Sequence, residues 1–161
     1  MSETATEPVS AQDARDLLEE LVRVPSVTPD EAECAQRLAE FFEAHGREVR
    51  IDEVGNVRAP ADDGVLLTSH VDTVPGDIPV RIEETDAGTE LWGRGSVDAK
   101  GALAAMAAVA VRTGASFAGV VGEEVDSRGG RHLVADRETA PDAVINGEPS
   151  GWEGITLGYR G

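Results

Sequence analysis

Positive charge is scarce in this chain: 14 Lys and Arg residues stand against 31 Asp and Glu among 161 residues, a formal net charge of −17. That balance excludes nucleic acid as a partner, because neutralising phosphates requires a surface of the opposite sign. Cysteine is almost absent. The lone Cys34 rules out an internal disulfide and fits a reducing, cytoplasmic compartment. Its place in a predicted helix suits a small buried filler better than a reactive thiol. No apolar run reaches the roughly 20 residues that cross a bilayer, so no membrane association is expected. The first residues are polar and acidic, unlike a signal peptide, and 1–9 read as a disordered tail. What remains, 10–161, is long enough for one domain with a real core. Dense carboxylates, little lysine and Ala, Val and Gly as filler point to a halophilic surface that holds water in high salt.

The apolar pattern alternates between helical and extended periods. Ser10-Ala11-Gln12-Asp13 resembles an N-cap, and Ala14, Leu17, Leu18, Leu21 and Val22 follow helical spacing until Pro25. Thr28-Pro29-Asp30-Glu31 reads as a capping box with proline at the first helical position, opening a stripe of Ala35, Leu38, Ala39 and Phe42 that ends at Gly46. Val49 and Ile51 alternate with charge as a half-wet strand, and 54–58 pairs nearby. Asp62-Asp63-Gly64 reads as a turn before the short apolar strand Val65-Leu66-Leu67. A hairpin is expected over 81–92, a buried Ala-rich helix over 102–112, core strands over 117–121 and 143–145, and a short helix near 131–136. The fold class is α/β, with chemistry gathered at strand ends as in open α/β sheets.

Those strand ends carry an ordered series: His70 and Asp72, then Asp98 in the glycine-rich stretch Gly93–Gly101, then Glu123-Glu124 after Val120-Val121, then Glu148 between Gly147 and Pro149. Taken singly, each has a plain role. His70 suits a hydrogen-bonded strand end, Asp98 a helix cap and Glu148 a turn, whereas two adjacent glutamates closing an apolar strand would repel and lose solvation. Taken together, one imidazole and several carboxylates are the donor set of a hydrolytic pair of divalent metals. Asp72, two residues along an extended segment, shares a face with His70 and can orient the imidazole. Two divalent cations balance Asp98, Glu124, Glu148 and one hydroxide, which leaves Glu123 free for proton transfer.

This series resembles the co-catalytic zinc metallopeptidase family of carboxypeptidase G, aminoacylase, acetylornithine deacetylase and succinyl-diaminopimelate desuccinylase. The stretches 72–81 and 147–161 resemble, within it, the hydrolases that free lysine or ornithine from a LysW-type amino-group carrier protein in lysine and arginine biosynthesis. The resemblance implies a three-layer α/β/α catalytic domain with a mixed sheet and two zinc or cobalt ions. It implies that His70 and Glu148 hold one ion, Glu124 the other, and Asp98 bridges them. Asp72 then orients His70, Glu123 is general base and acid, and the peptide bond Asp98–Ala99 is cis. Arg81, Arg94, Arg128 and Arg160 are candidates for substrate carboxylates. Members of the family run to about twice this length, with an inserted lid or dimerisation domain, a homodimeric assembly and a final histidine ligand. Neither His45 nor His132 occupies that histidine's position. The expectation is therefore a partial, N-terminal portion of the catalytic domain, inactive in isolation. The alternatives are acetylornithine deacetylase, succinyl-diaminopimelate desuccinylase, or a catalytically silent metal-binding fragment.

Overall fold

The computed structural model describes residues 9–150, 154, 155 and 157. Helix α1 (Ala11–Arg23) starts at Ser10, whose hydroxyl oxygen accepts the Asp13 amide while the Asp13 carboxylate accepts the Ser10 amide. This reciprocal cap satisfies two amides that the first turn leaves open. Leu17, Leu21 and Val22 form its buried stripe. Helix α2 (Ala32–Ala44) buries Cys34, Ala35, Leu38, Ala39 and Phe42, and the chain leaves it through His45 and Gly46. The capping box expected at 28–31 does not form. The helix begins later, at Ala32, with no side-chain cap. The Thr28 hydroxyl lies 3.2 Å from the Glu31 carboxylate but is closer, at 2.8 Å, to that of Asp72, so it serves a long-range partner rather than a helix amide.

Seven strands follow among the described residues: β1 (Arg50–Ile51), β2 (Val57–Ala59), β3 (Asp62–His70), β4 (Arg81–Thr85), β5 (Gly88–Trp92), β6 (Ala115–Val120) and β7 (Ala143–Asn146). Helix α3 (Lys100–Thr113) precedes β6, and α4 (Arg128–Ala135) precedes β7. The main sheet has the order β1-β2-β6-β3-β7, with β6, β3 and β7 parallel and β1 and β2 antiparallel. The turn expected at 62–64 is instead the start of β3. Asp62 pairs with Ala115, and a register shift before Leu66 absorbs the glycine. The hairpin β4–β5 stands apart as its own two-stranded sheet.

Adjacent strand residues face opposite layers. Leu67, Phe117 and Val121 join the core beneath α1, α2 and α3, whereas Leu66 and Ala118 meet Leu133 of α4. The mixed three-layer α/β/α arrangement follows, with α4 the one described helix on the second face. Two expectations change. Helix α3 buries Leu103, Ala104, Ala107, Ala108 and Ala110 but leaves Val109 44% exposed. Strand β7 is an edge, with Val144 and Ile145 half exposed, because among the described residues it pairs only with β3. The β3-to-β6 and β6-to-β7 connections run over opposite faces of the sheet through α3 and α4. That reversal leaves a crevice beyond the carboxyl ends of the parallel strands, where α/β proteins place their sites.

Candidate metal centre

His70 is the last residue of β3, and the strand is extended beyond it by cross-links. Val71 donates its amide to the Val120 carbonyl at 2.8 Å, and Ser26 donates its hydroxyl to the Val71 carbonyl at 2.8 Å. Glu148 arrives two residues past β7. Gly147 donates its amide to the Thr68 carbonyl, and Ser69 donates its hydroxyl back to the Gly147 carbonyl, both at 2.8 Å. Asp98 comes from the loop ahead of α3, and the Asp98–Ala99 bond is cis, as the resemblance implies. This loop approaches the His70 strand so closely that a Cβ at Gly95, φ +77°, would lie 2.6 Å from the Thr73 methyl group. Glu123 and Glu124 follow β6, after Gly122 turns the chain with φ +67°.

Four carboxylates, of Asp98, Glu123, Glu124 and Glu148, converge on one buried imidazole. The Nε2 atom of His70 lies 3.1 Å from Asp98 Oδ1, 3.7 Å from Glu148 Oε2 and 4.0 Å from Glu123 Oε2. Two donor groups share His70, one with Asp98 and Glu148 and the other with Glu123 and Glu124, each spanning no more than 4.8 Å. Thus Glu123 has an oxygen as well placed for a metal as that of Glu124. Four-coordinate zinc, with bonds of about 2.0–2.1 Å, separates its ligands by roughly 3.3 Å. The separations of 3.1 and 3.7 Å between His70 and the Asp98 and Glu148 oxygens suit such an ion.

The electrostatics agree. The Nδ1–H of His70 donates to the backbone carbonyl of Asp72 at 2.9 Å, so the neutral ring turns the Nε2 lone pair toward carboxylates. Acceptors facing an acceptor require a proton or a cation between them. Burial works to lower the His70 pKa, yet hydrogen bonding to Asp72 and the charges of Glu148, Asp72 and Glu123 raise it to about 9. Burial, together with the neighbouring charge of Asp98, pushes the Glu124 carboxyl up. Glu148 also rises, through burial first, with His70 opposing and Glu123 and Asp98 adding to the effect.

Asp72 does more than face the imidazole. Its Oδ1 lies 3.5 Å from His70 Nδ1, farther than its own backbone carbonyl. Its two carboxylate oxygens accept the Glu123 and Glu124 amides, each at 3.0 Å, along with the Thr28 hydroxyl. Burial would raise the Asp72 pKa, but His70, these two amides and Thr28 overcome it and hold it at about 2. Asp72 therefore ties the Glu123–Glu124 loop to the His70 strand. Sequence alone does not reveal the role of Thr28, because its pairing with Asp72 crosses 44 positions.

The candidate arginines within the described residues each have a partner. Arg81 stacks over Trp92, with its guanidinium 4.2 Å from the ring centre, and pairs with Glu83. Arg94 donates to the Gly76 carbonyl at 3.0 Å, bracing the turn after Asp72. Arg128 is held against the buried Glu31 carboxylate at 2.8 Å. Arg160 is outside the described residues. His45 is stacked on Phe41, and His132 lies 3.8 Å from Asp52 and 3.4 Å from Glu53, both away from the cluster. Beside the cluster opens a cavity of about 340 Å³, with His70, Glu123 and Glu148 on one side and Val120, Leu133 and Val144 on another.

Comparison with known proteins bears on the same residues. A protein of Pyrococcus abyssi provisionally named LysW-lysine/LysW-ornithine hydrolase is 50% identical over 149 residues, covering 89% of this chain and 42% of that protein. The LysW-lysine hydrolase of Deinococcus radiodurans is 44% identical over 163 residues, covering 94% and 44%. The chain thus spans a little under half the length of these curated relatives. Among solved structures, aminoacylhistidine dipeptidase of Vibrio alginolyticus shares the fold with a TM-score of 0.67 at 22% identity, over 91% of this chain and 35% of that one. The description of peptidase family M20/M25/M40 matches residues 66–160, which contain His70, Asp98, Glu123, Glu124 and Glu148, and the chain belongs to that family.

Proposed function

We propose that residues 10–161 form the N-terminal portion of the catalytic domain of a metal-dependent amide hydrolase that releases lysine or ornithine from a LysW-type amino-group carrier protein. The observation that carries this reading is the meeting of two donor groups at His70, on the carboxyl edge of the parallel strands. The names of the relatives support the substrate class. The apolar wall of the adjoining cavity suits the methylene chain of such an amine.

In this reading His70 and Glu148 would hold one zinc or cobalt ion and Glu124 the other, with Asp98 a carboxylate available to both. A divalent pair there supplies Lewis acidity toward the amide carbonyl and an acidified water. Glu123, with its side chain 44% exposed, faces both the cluster and solvent. It takes the proton of the attacking water and returns it to the departing amine, which would otherwise leave as a poor, anionic group. Asp72 keeps His70 and the Glu123–Glu124 loop in mutual register. No helix among the described residues is long and apolar enough to cross a membrane.

The test, in a protein that joins this chain to the rest of the catalytic domain, is release of free lysine or ornithine from carrier-linked substrate in molar salt with added cobalt or zinc, beside N-acetyl and N-succinyl substrates and Glu123→Ala. Preference for the carrier-linked amide, lost in Glu123→Ala, is the expected result. Preference for the acetyl or succinyl substrate would replace the proposed specificity with that of a deacetylase or desuccinylase. Cleavage unaffected by Glu123→Ala would overturn the catalytic assignment.

A further inference from the structure

Behind the cluster lies a second polar network, centred on Asn56 between β1 and β2. Asn56 is fully buried, and its side chain uses both ends. Its oxygen accepts the Val121 amide at 3.1 Å, while its nitrogen donates to the Gly129 carbonyl and to the Asp52 carboxylate, each at 3.0 Å. These partners settle the amide's orientation. Turned over, its NH2 would meet the Val121 N–H and its oxygen would meet two acceptors. Asp52 is itself anchored by the Val54 and Asn56 amides, at 3.2 and 2.9 Å.

Val121 and Gly129 are the two ends of one loop. The Gly129 amide donates to the Val121 carbonyl at 3.1 Å and closes a neck, and residues 122–128 beyond it carry Glu123 and Glu124. Within the loop, Gly122 accepts the Asp126 and Ser127 amides at 3.1 and 2.6 Å. Asp72 grips the glutamate amides on the far side. The neck has no slack, since a Cβ at Gly129 would lie 2.3 Å from the Asn56 oxygen. Any tilt of the loop about this neck would carry both glutamates away from His70.

We infer that Asn56 is a positioning residue for the metal centre: it fixes the neck of the 122–128 loop, and so the placement of Glu123 and Glu124 against His70, without touching the site. Its consequence for metal binding rests on the reading of the cluster given above; its geometry rests on hydrogen bonds alone.

Asn56→Asp tests this. It keeps the side chain's shape and the oxygen facing Val121, but sets a second acceptor against Asp52 and the Gly129 carbonyl. In the whole 161-residue chain, in molar salt, the Glu123 and Glu124 amides should exchange with solvent roughly tenfold faster than in the parent, while α1 amides change little. Cobalt affinity should weaken at least ~10-fold, with a changed visible spectrum, as when other groups that orient ligands are removed. Leu17→Ala, in the buried face of α1, is the control for general destabilisation: it lowers Tm and keeps the parent's cobalt spectrum. Unchanged amide exchange and cobalt spectrum in Asn56→Asp overturn the inference. Should that variant fail to fold, the parent decides. Its Val121, Glu123 and Glu124 amides must exchange as slowly as those of β6, and coil-like exchange there overturns the clamp. A parent that binds no cobalt contradicts the metal-centre reading instead, and amide exchange still decides the role of Asn56.

Discussion

Replacing Asp72 with Asn separates its two duties. The backbone carbonyl that receives the His70 Nδ1–H is untouched, so the imidazole keeps its nearest partner. The carboxylate, however, receives the Glu123 amide on one oxygen and the Glu124 amide on the other. Asn offers one oxygen and one NH2, so whichever way it turns, one of those amides faces a donor. A hydrogen bond to a charged acceptor contributes about 1.5–3 kcal/mol, and a buried donor left unpaired costs a similar amount. The lowered pKa expresses the same hydrogen bonds as a stability. A carboxyl held at about 2 instead of 3.8 stabilises the fold by roughly 2–3 kcal/mol at neutral pH, a contribution present above the unfolded value and lost as pH falls through about 2. Either reckoning puts the cost of Asp72→Asn at about 2–4 kcal/mol, or roughly 4–15 °C in Tm for a chain of this size. Thermal melts of the metal-free protein at neutral pH measure it, and amide exchange locates it. A variant that melts within a degree of the parent and keeps slow Glu123 and Glu124 amides would refute the clamp.

Three further outcomes follow from the same geometry. Lys100 is the only lysine in the chain, is buried, and donates to the Leu21 and Val24 carbonyls at 2.8 and 2.6 Å. Lys100→Met removes the donor to the Val24 carbonyl and leaves the Leu21 carbonyl with the Val24 amide alone, and should cost about 2–5 kcal/mol in a denaturant melt; no loss would show that the ammonium contributes nothing net. In the metal-free chain the His70 pKa, raised to about 9, contributes on the order of 3 kcal/mol that is present below about pH 6.5 and lost as pH rises through about 9. Tm should fall over that window in chelator and hold steady with cobalt bound; parallel profiles would contradict the assignment. Finally, Glu31 and Arg128 pair across a part-buried contact. A double-mutant cycle with Glu31→Gln and Arg128→Met should show about 1–3 kcal/mol of coupling, and additive losses would dismiss the pair.

The candidate cluster was legible because each member sits in a short strand-end signature: His70 two residues before Asp72, Asp98 among glycines ahead of a helix, Glu123-Glu124 after an apolar strand. Helix α1 was legible for a similar reason, since Ser10 and Asp13 satisfy each other locally. What could not be read were residues whose partners lie far along the chain. Thr28 looked like a helix cap until Asp72 claimed its hydroxyl. Asn56, following Gly55, carried no sign that it spans the neck of a loop 65 positions away. The apolar run at 143–145 promised a core strand, yet its burial depends on neighbours that its own residues do not specify.

The central claim is that His70 anchors a divalent metal centre, and a cobalt or zinc titration of the purified chain beside His70→Ala and His45→Ala tests it most directly. The account predicts at least one ion per chain for the parent and for His45→Ala, and affinity at least ~10-fold weaker for His70→Ala. Equal binding by all three proteins, or none by the parent, would contradict it.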